Sequence, residues 1–329
     1  MYVITGGAGF IGSNIAAALD ARGDDVVIVD RLGSDPFKWR NLAKRRLADF
    51  VTPEETPAFL GANAGKIRGV VHMGAISTTT ETDVDAILRN NFRLSVDLWR
   101  FCAQAKIPLV YASSAATYGD GAQGFLDRFD DEYLGLLLPL NAYGWSKHAF
   151  DRFVLRRLQR GEPAPPRWAG LKFFNVYGPN EYHKGGQRSV AVQLHAQIRQ
   201  SGAVRLFRSD NPAYADGEQL RDFVWVGDCV DVTLWALDDA SAASGLYNVG
   251  SGAARSFADK ARIVFAELGV AQRIEFIDLP ANLSGKYQYY TCAALEKLRA
   301  AGYARPMTSL EDGLRQYVRG YLEAEDPFR

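Results

Sequence analysis

The feature that most constrains the fold is a glycine cluster near the start of the chain. Tyr2-Val3-Ile4-Thr5 is a short β-rich run. Gly6-Gly7-Ala8-Gly9-Phe10-Ile11-Gly12-Ser13 follows it, and apolar residues then recur with helical spacing at Ile11, Ile15, Ala18 and Leu19. Strand, glycine turn and helix in this order open a βαβ unit of the dinucleotide-binding kind. Gly6 permits the tight turn, Gly9 lets the backbone approach a pyrophosphate, and Gly12 lets helix and strand pack closely. The unpaired N–H groups of the first helical turn and the helix dipole then favour a negative group.

A second β-rich run, Val26 to Val29, ends at Asp30, 18 residues beyond Gly12. An acid about 20 residues on bonds the adenosine ribose hydroxyls of NAD. Arg31 follows at once, however, with Lys38 and Arg40 close behind. Such cations hold the 2′-phosphate of NADP. On the residues alone both cofactors stay open.

Two more strands are expected at Gly69–His72 and in the stretch from Pro108 to Ala112. Each leads into small residues, Met73-Gly74-Ala75 and Ser113-Ser114-Ala115-Ala116. In a doubly wound parallel sheet, ligands bind beside such carboxyl ends. Asn141-Ala142-Tyr143-Gly144-Trp145-Ser146-Lys147 then opens an amphipathic helix running through Phe150, Phe153, Val154 and Leu158. Tyr143 and Lys147 share one face of it. A free tyrosine, with a pKa near 10, is a poor base at neutral pH. A neighbouring ammonium and the charge of an oxidised nicotinamide stabilise its phenolate, while a serine hydroxyl can bond the reacting carbinol. The Tyr-x-x-x-Lys spacing is common by itself; it gains weight from the glycine turn and the Ser-Ser strand end before it.

Composition excludes several classes. Lys and Arg number 38 and Asp and Glu also 38, so no basic footprint points to nucleic acid or an anionic membrane. No apolar run approaches the roughly 18 residues of a membrane span. Cys102, Cys229 and Cys292 are too scattered for a metal site or a disulfide framework. With the glycine turn starting at Gly6, a cytoplasmic protein without a leader is expected.

On these residues the chain resembles the extended short-chain dehydrogenase/reductase family. Thr5 to Gly12 match its fingerprint, and Ser114, Tyr143 and Lys147 its triad. Asn175-Val176-Tyr177-Gly178-Pro179 match its nucleotide-sugar branch, and Arg221-Asp222-Phe223-Val224 extend the likeness over essentially the whole chain. The branch's 4,6-dehydratases carry Thr-Asp-Glu where this chain has Ser114-Ala115-Ala116, so water elimination lacks its acids. The stretches Met73 to Glu81, Tyr111 to Gly119, Glu181-Tyr182-His183-Lys184-Gly185-Gly186, Ser284 to Gln288 and Leu298 to Tyr303 are similar to the ADP-L-glycero-D-manno-heptose 6-epimerases within it.

That resemblance implies inversion at carbon 6 of an ADP-heptose by hydride transfer to NADP and back, for lipopolysaccharide inner-core synthesis. Tyr143 and Lys184 would serve as the two acid/base groups, Ser114 and Lys147 completing the triad. Cofactor contacts would come from Gly6, Gly9, Phe10, Ile11, Gly12, Asp30, Arg31, Lys38, Met73, Gly74, Ala75, Ile76, Ser77, Asn90, Tyr143, Lys147, Val176 and Lys184. Substrate contacts would come from Ser114, Asn175, Gly186, Gln193, Leu206, Phe207, Arg208, Ser209, Arg221 and Tyr287. Gly186 and Gln193 stand where some relatives have serine and histidine, and Leu206 and Phe207 read equally well as strand core. His195 reads as a plain helix histidine. The resemblance also implies a homo-oligomer, a pentamer. Another nucleotide-sugar epimerase, such as a UDP-hexose 4-epimerase, is the alternative enzyme. A silent NADP-binding sensor is the alternative class, against which the complete triad argues.

The expected fold is α/β: a doubly wound parallel sheet (Rossmann type) with a smaller C-terminal α/β substrate domain. Residues 1–170 would form the cofactor domain, with about 171–178 and 222–250 returning to its sheet. About 179–221 and 251–329 would form the substrate domain, with residues 210–217 as a loop.

Overall fold

A computed structural model describes residues 1–280 and 288–329. Its strands are β1 (Tyr2–Thr5), β2 (Val26–Val29), β3 (Asp49–Val51), β4 (Gly69–His72), β5 (Leu109–Ser114), β6 (Trp168–Phe173), β7 (Asn175–Tyr177), β8 (Val204–Phe207), β9 (Leu220–Trp225), β10 (Gly245–Val249), β11 (Ala254–Ser256) and β12 (Ile274–Ile277). Seven form one parallel sheet in the order β10-β6-β5-β4-β1-β2-β3. The strands read as continuous Val/Ile/Leu runs because both faces are covered. Alternation decides which layer each residue meets: Ile4, Ile28 and Val71 pack with Ile15, Leu19 and Val230 on one face. Val3, Val27 and Val70 pack with Val96, Trp99 and Val154 on the other.

The strand order reverses between β1 and β4, so the ligand crevice lies where Thr5 and His72 end. A second, smaller core gathers Leu194, Leu206, Ala261, Phe265, Leu314 and Tyr317, and includes Phe10 from the cofactor helix. Its sheets are β11-β9-β7 and the pair β12-β8.

The expected return of residues 171–178 and 222–250 needs correcting in detail. Trp168–Phe173 and Gly245–Val249 do join the large sheet. Asn175–Tyr177 and Leu220–Trp225 instead pair with each other, Asn175 opposite Phe223. The chain therefore leaves the large sheet at Phe174, and Asn175 is delivered to the edge of the crevice rather than into the sheet. Among the described residues, no helix is long and apolar enough to cross a membrane, and no group of acids, histidines and cysteines is arranged to hold a metal ion.

Candidate active site

The glycine turn is built as a cradle. Gly6 has φ +66°, and a Cβ there would lie 2.6 Å from the Gly74 amide; one on Gly12 would lie 2.2 Å from the Gly6 carbonyl. Those contacts press the turn against the Met73–Ser77 loop and the start of the Phe10–Ala21 helix against the turn itself. Gly9 caps that helix without a side chain, and no acid stands in its first turn. Its N–H groups therefore form an anion site with nothing competing from the side chains. Asp30 ends β2 facing the turn: its carboxylate accepts from the Ala8 amide at 2.9 Å and pairs with Lys38 at 2.8 Å. Arg31 is exposed and paired with Glu54. These residues fit a nicotinamide dinucleotide, with pyrophosphate at the helix start and adenosine ribose at Asp30.

Across the crevice, Ser114 ends β5, where its hydroxyl accepts from the Ala116 amide at 3.1 Å. Tyr143 lies in the first turn of the Ala142–Gln159 helix, which Asn141 caps by accepting from the Gly144 amide at 2.8 Å. A Cβ on Gly144 would lie 2.6 Å from the Ala116 carbonyl, so glycine lets the helix start close behind Ser114. Burial raises the Tyr143 pKa, and the neighbouring Ser114 hydroxyl opposes that rise. Burial lowers the Lys147 ammonium to about 8, with Asp151 pulling the other way. The arrangement brings a hydroxyl donor, a phenol and a buried cation together, the parts needed for proton transfer to a sugar oxygen.

A buried network stands behind these residues. Lys172, with no exposed side-chain surface, pairs with Asp151 at 2.9 Å and donates to the Thr117 hydroxyl at 2.6 Å. Thr117 in turn donates to the Ser114 carbonyl, and Ser113 donates to Asp151. The helix of Tyr143 and the strand end of Ser114 are thus tied by one charged pair.

Lys184 lies in the short 3₁₀ segment Tyr182–Gln187, with its ammonium 5.5 Å from the centre of the Phe10 ring. Burial lowers its pKa, with Glu181 opposing. Glu181 is wholly buried and closes the turn. It accepts from the Gly178 amide, from the amide and hydroxyl of Ser189, and from the Tyr317 hydroxyl. His183 meets Asn41, which also donates to the Ala8 carbonyl, so the turn touches the glycine loop.

The substrate candidates divide. Asn175 is exposed and Val176 half-buried at the crevice edge. Arg221 is 6% exposed, its guanidinium over Phe257. Phe207 is half-buried and Ser209 is held by Asp216, whereas Leu206 is turned into the second core. Arg208 is exposed and paired with Asp278, Gly186 is exposed, and Gln193 donates to the Arg188 carbonyl. His195 pairs with Glu323 at 2.6 Å. Tyr287 and most of the Ser284–Gln288 stretch lie outside the described residues.

Sequence reasoning singled out Asn90, which donates to the Ala86 carbonyl of its own helix, and passed over its neighbour. Asn91, fully buried, is the residue that grips the Met73–Ser77 loop. It bonds both the amide and the carbonyl of Ile76 and donates to Ser146. His72 was also missed as a site residue. It hydrogen-bonds Thr5 and Ser95 and is held neutral, its pKa lowered to about 3 by burial and then by Lys147.

The model of the NAD dependent epimerase/dehydratase family matches residues 2–250. The chain belongs to that family. A protein of Nitratidesulfovibrio vulgaris named ADP-L-glycero-D-manno-heptose-6-epimerase is 48% identical over 331 residues, covering 100% of each chain. The crystal structure of the Helicobacter pylori ADP-L-glycero-D-manno-heptose-6-epimerase superposes on this epimerase with a TM-score of 0.79. It is 28% identical and covers 97% of this chain and 95% of its own. The Thermus thermophilus UDP-glucose 4-epimerase, solved with NAD, has a TM-score of 0.71 at 26% identity, covering 95% and 96%. This epimerase is therefore an isomerase with a nicotinamide cofactor.

Proposed function

We propose that the protein interconverts ADP-D-glycero-β-D-manno-heptose and its L-glycero epimer at carbon 6, using tightly held NADP. We propose further that it does so in the cytoplasm as a homo-oligomer, a pentamer, to supply heptose for the lipopolysaccharide inner core. The observation that carries the reading is a second lysine, Lys184, half-buried at the Phe10 end of the cofactor cradle while Ser114, Tyr143 and Lys147 occupy their own corner. Full-length relatives bearing the heptose epimerase name support the substrate. Lys38 neutralises Asp30 beside Arg31, a charge arrangement suited to a 2′-phosphate.

The hydrogen on carbon 6 is not acidic, so it has to leave and return as hydride. The bound nicotinamide supplies the acceptor and donor for that hydride. Tyr143, with its phenolate stabilised by Lys147, takes the hydroxyl proton in one orientation of the sugar, and Ser114 holds the same oxygen. Inversion needs the ketone to present its other face, and its oxygen then needs a second proton source. Lys184 provides it, its pKa lowered toward the working range by burial. Arg221 and Asn175 hold the diphosphate and the sugar. Between the two orientations these anchors keep the ADP half in place.

Incubating the purified protein with ADP-D-glycero-D-manno-heptose and resolving the epimers by chromatography tests this reading. Conversion to a mixture of both, without net accumulation of NADPH, is expected. Conversion of UDP-galactose with no action on the heptose would replace the substrate, and no conversion of either with cofactor bound would leave only the fold.

A further inference from the structure

The turn carrying Lys184 is held from outside by a segment that the mechanism does not use. Phe328 is 3% exposed, with the Arg40 guanidinium 4.4 Å from its ring centre and the Tyr182 ring edge-on at 5.1 Å. The Tyr182 hydroxyl donates to the Pro327 carbonyl at 2.9 Å. Lys44 donates to the Phe328 carbonyl and pairs with Asp326 at 3.0 Å. The Arg329 amide donates to the Asn180 side chain at 2.9 Å, and its guanidinium donates to Asn14 at 3.3 Å.

The partners belong to three different parts of the site. Arg40 and Lys44 follow Asp30 and Lys38 on the adenosine side. Asn14 lies in the cofactor helix and donates to the carbonyls of Phe10 and Pro179. Asn180, fully buried with φ +72°, donates to the Ser13 hydroxyl and immediately precedes Glu181. The three are joined to one another by side-chain hydrogen bonds, Asn14 to Pro179, Asn180 to Ser13 and Asn41 to His183, rather than by a strand or a helix. A buried aromatic with cation and ring contacts, flanked by main-chain hydrogen bonds, is suited to pinning them together.

We propose that Asp326–Arg329 form a strap that ties the adenosine side of the cofactor cradle to the Lys184 turn, with Phe328 as the positioning residue, so that cofactor retention and the placement of Lys184 are set together. The catalytic half of this statement rests on the role given to Lys184 above; the cofactor half does not. The experiment is release of radiolabelled NADP from the full-length holoenzyme into excess unlabelled NADP, for wild type and F328A, alongside kcat and KM for the heptose. F328A releases cofactor about tenfold faster, because changes of this kind act chiefly on dissociation. Its kcat falls by a comparable factor, with KM little changed, since Arg221 and Ser209 lie away from the strap. F328L, which keeps apolar bulk but offers no ring face to Arg40, falls between the two. R329A, which removes one hydrogen bond and leaves the core intact, speeds release by about threefold, and it decides the matter if F328A does not fold. Release from F328A and R329A within about twofold of wild type overturns the strap. Faster release in a protein that never epimerises the heptose keeps the strap and overturns the substrate instead.

Discussion

The two acid/base candidates sit in contrasting surroundings. Tyr143 is carried on an 18-residue helix packed on the large sheet, and the buried Asp151–Lys172 pair ties that helix to the strand end of Ser114. Lys184 is carried on six residues of 3₁₀ structure, interrupted at Gly185 with φ +54°. Glu181 closes that turn from within and Phe328 covers it from without. A group inside a packed sheet and helix is placed by the backbone ladder and by apolar contact on every side. A group on a turn has no ladder, so side chains have to supply its position through hydrogen bonds that can be removed singly. The contrast teaches that the triad corner is stiff and costly to disturb, while the lysine corner is held by a few separable ties.

Ways to break that contrast run from large effects to small. Tyr143→Phe removes the proton acceptor and leaves the packing, and epimerisation falls by about 10³-fold or more. Epimer chromatography reads it, and retention of turnover would remove Tyr143 from the chemistry. Asp151→Ala strands the Lys172 cation in the core and lowers stability by about 3–5 kcal/mol. Chemical denaturation measures this, and a loss below about 1 kcal/mol would show the triad corner to be no stiffer than the other. Lys184→Ala lowers kcat by about 10²-fold with cofactor affinity nearly unchanged. A large loss of NADP binding by titration would make Lys184 a cofactor ligand first. Glu181→Gln keeps the shape of the buried carboxylate but sets a donor against donors. It should lower kcat by about tenfold and expose the chain near Gly185 to limited proteolysis; an unchanged proteolytic pattern would mean the turn holds itself.

A separate effect appears in acid. His72, His148 and His183 have pKa values lowered to about 3, about 4 and about 4, with burial the largest cause for each. Between about 6.5, the unfolded value, and those values, the unfolded chain binds protons that the folded chain does not. Stability is therefore fully present above that unfolded value and is lost as pH falls toward the folded ones. Denaturation midpoints taken from about pH 7 to about pH 4.5 should fall steadily. His183→Asn and His72→Asn should each shallow the slope by a similar amount over this range, because both imidazoles stay neutral in the folded chain until their lowered values of about 4 and about 3 are approached.

The triad corner was the more legible of the two. A glycine turn between a β-rich run and a helical pattern has one structural meaning, and a four-residue spacing on a helix places Tyr143 and Lys147 together with no further information. The lysine corner was legible only by resemblance, because a turn has no period to read. Even within helices, phase is hard to read: the stretch Leu88–Arg93 is π-helical, and its widened turn carries the buried Asn91 to Ile76 of the loop. Leu206 illustrates the same limit on a strand, where pairing with Phe276 decides which side is core.

By itself the sequence determined the cofactor cradle, the parallel sheet and the pairing of tyrosine with lysine, because glycine sterics, apolar runs and helical spacing act over a few residues. Tertiary structure alone decided that β7 leaves the sheet, that Lys172 stands behind Ser114, and that Phe328 closes over Tyr182. Those contacts join residues far apart in the chain. They follow from how whole layers pack, which no local pattern encodes.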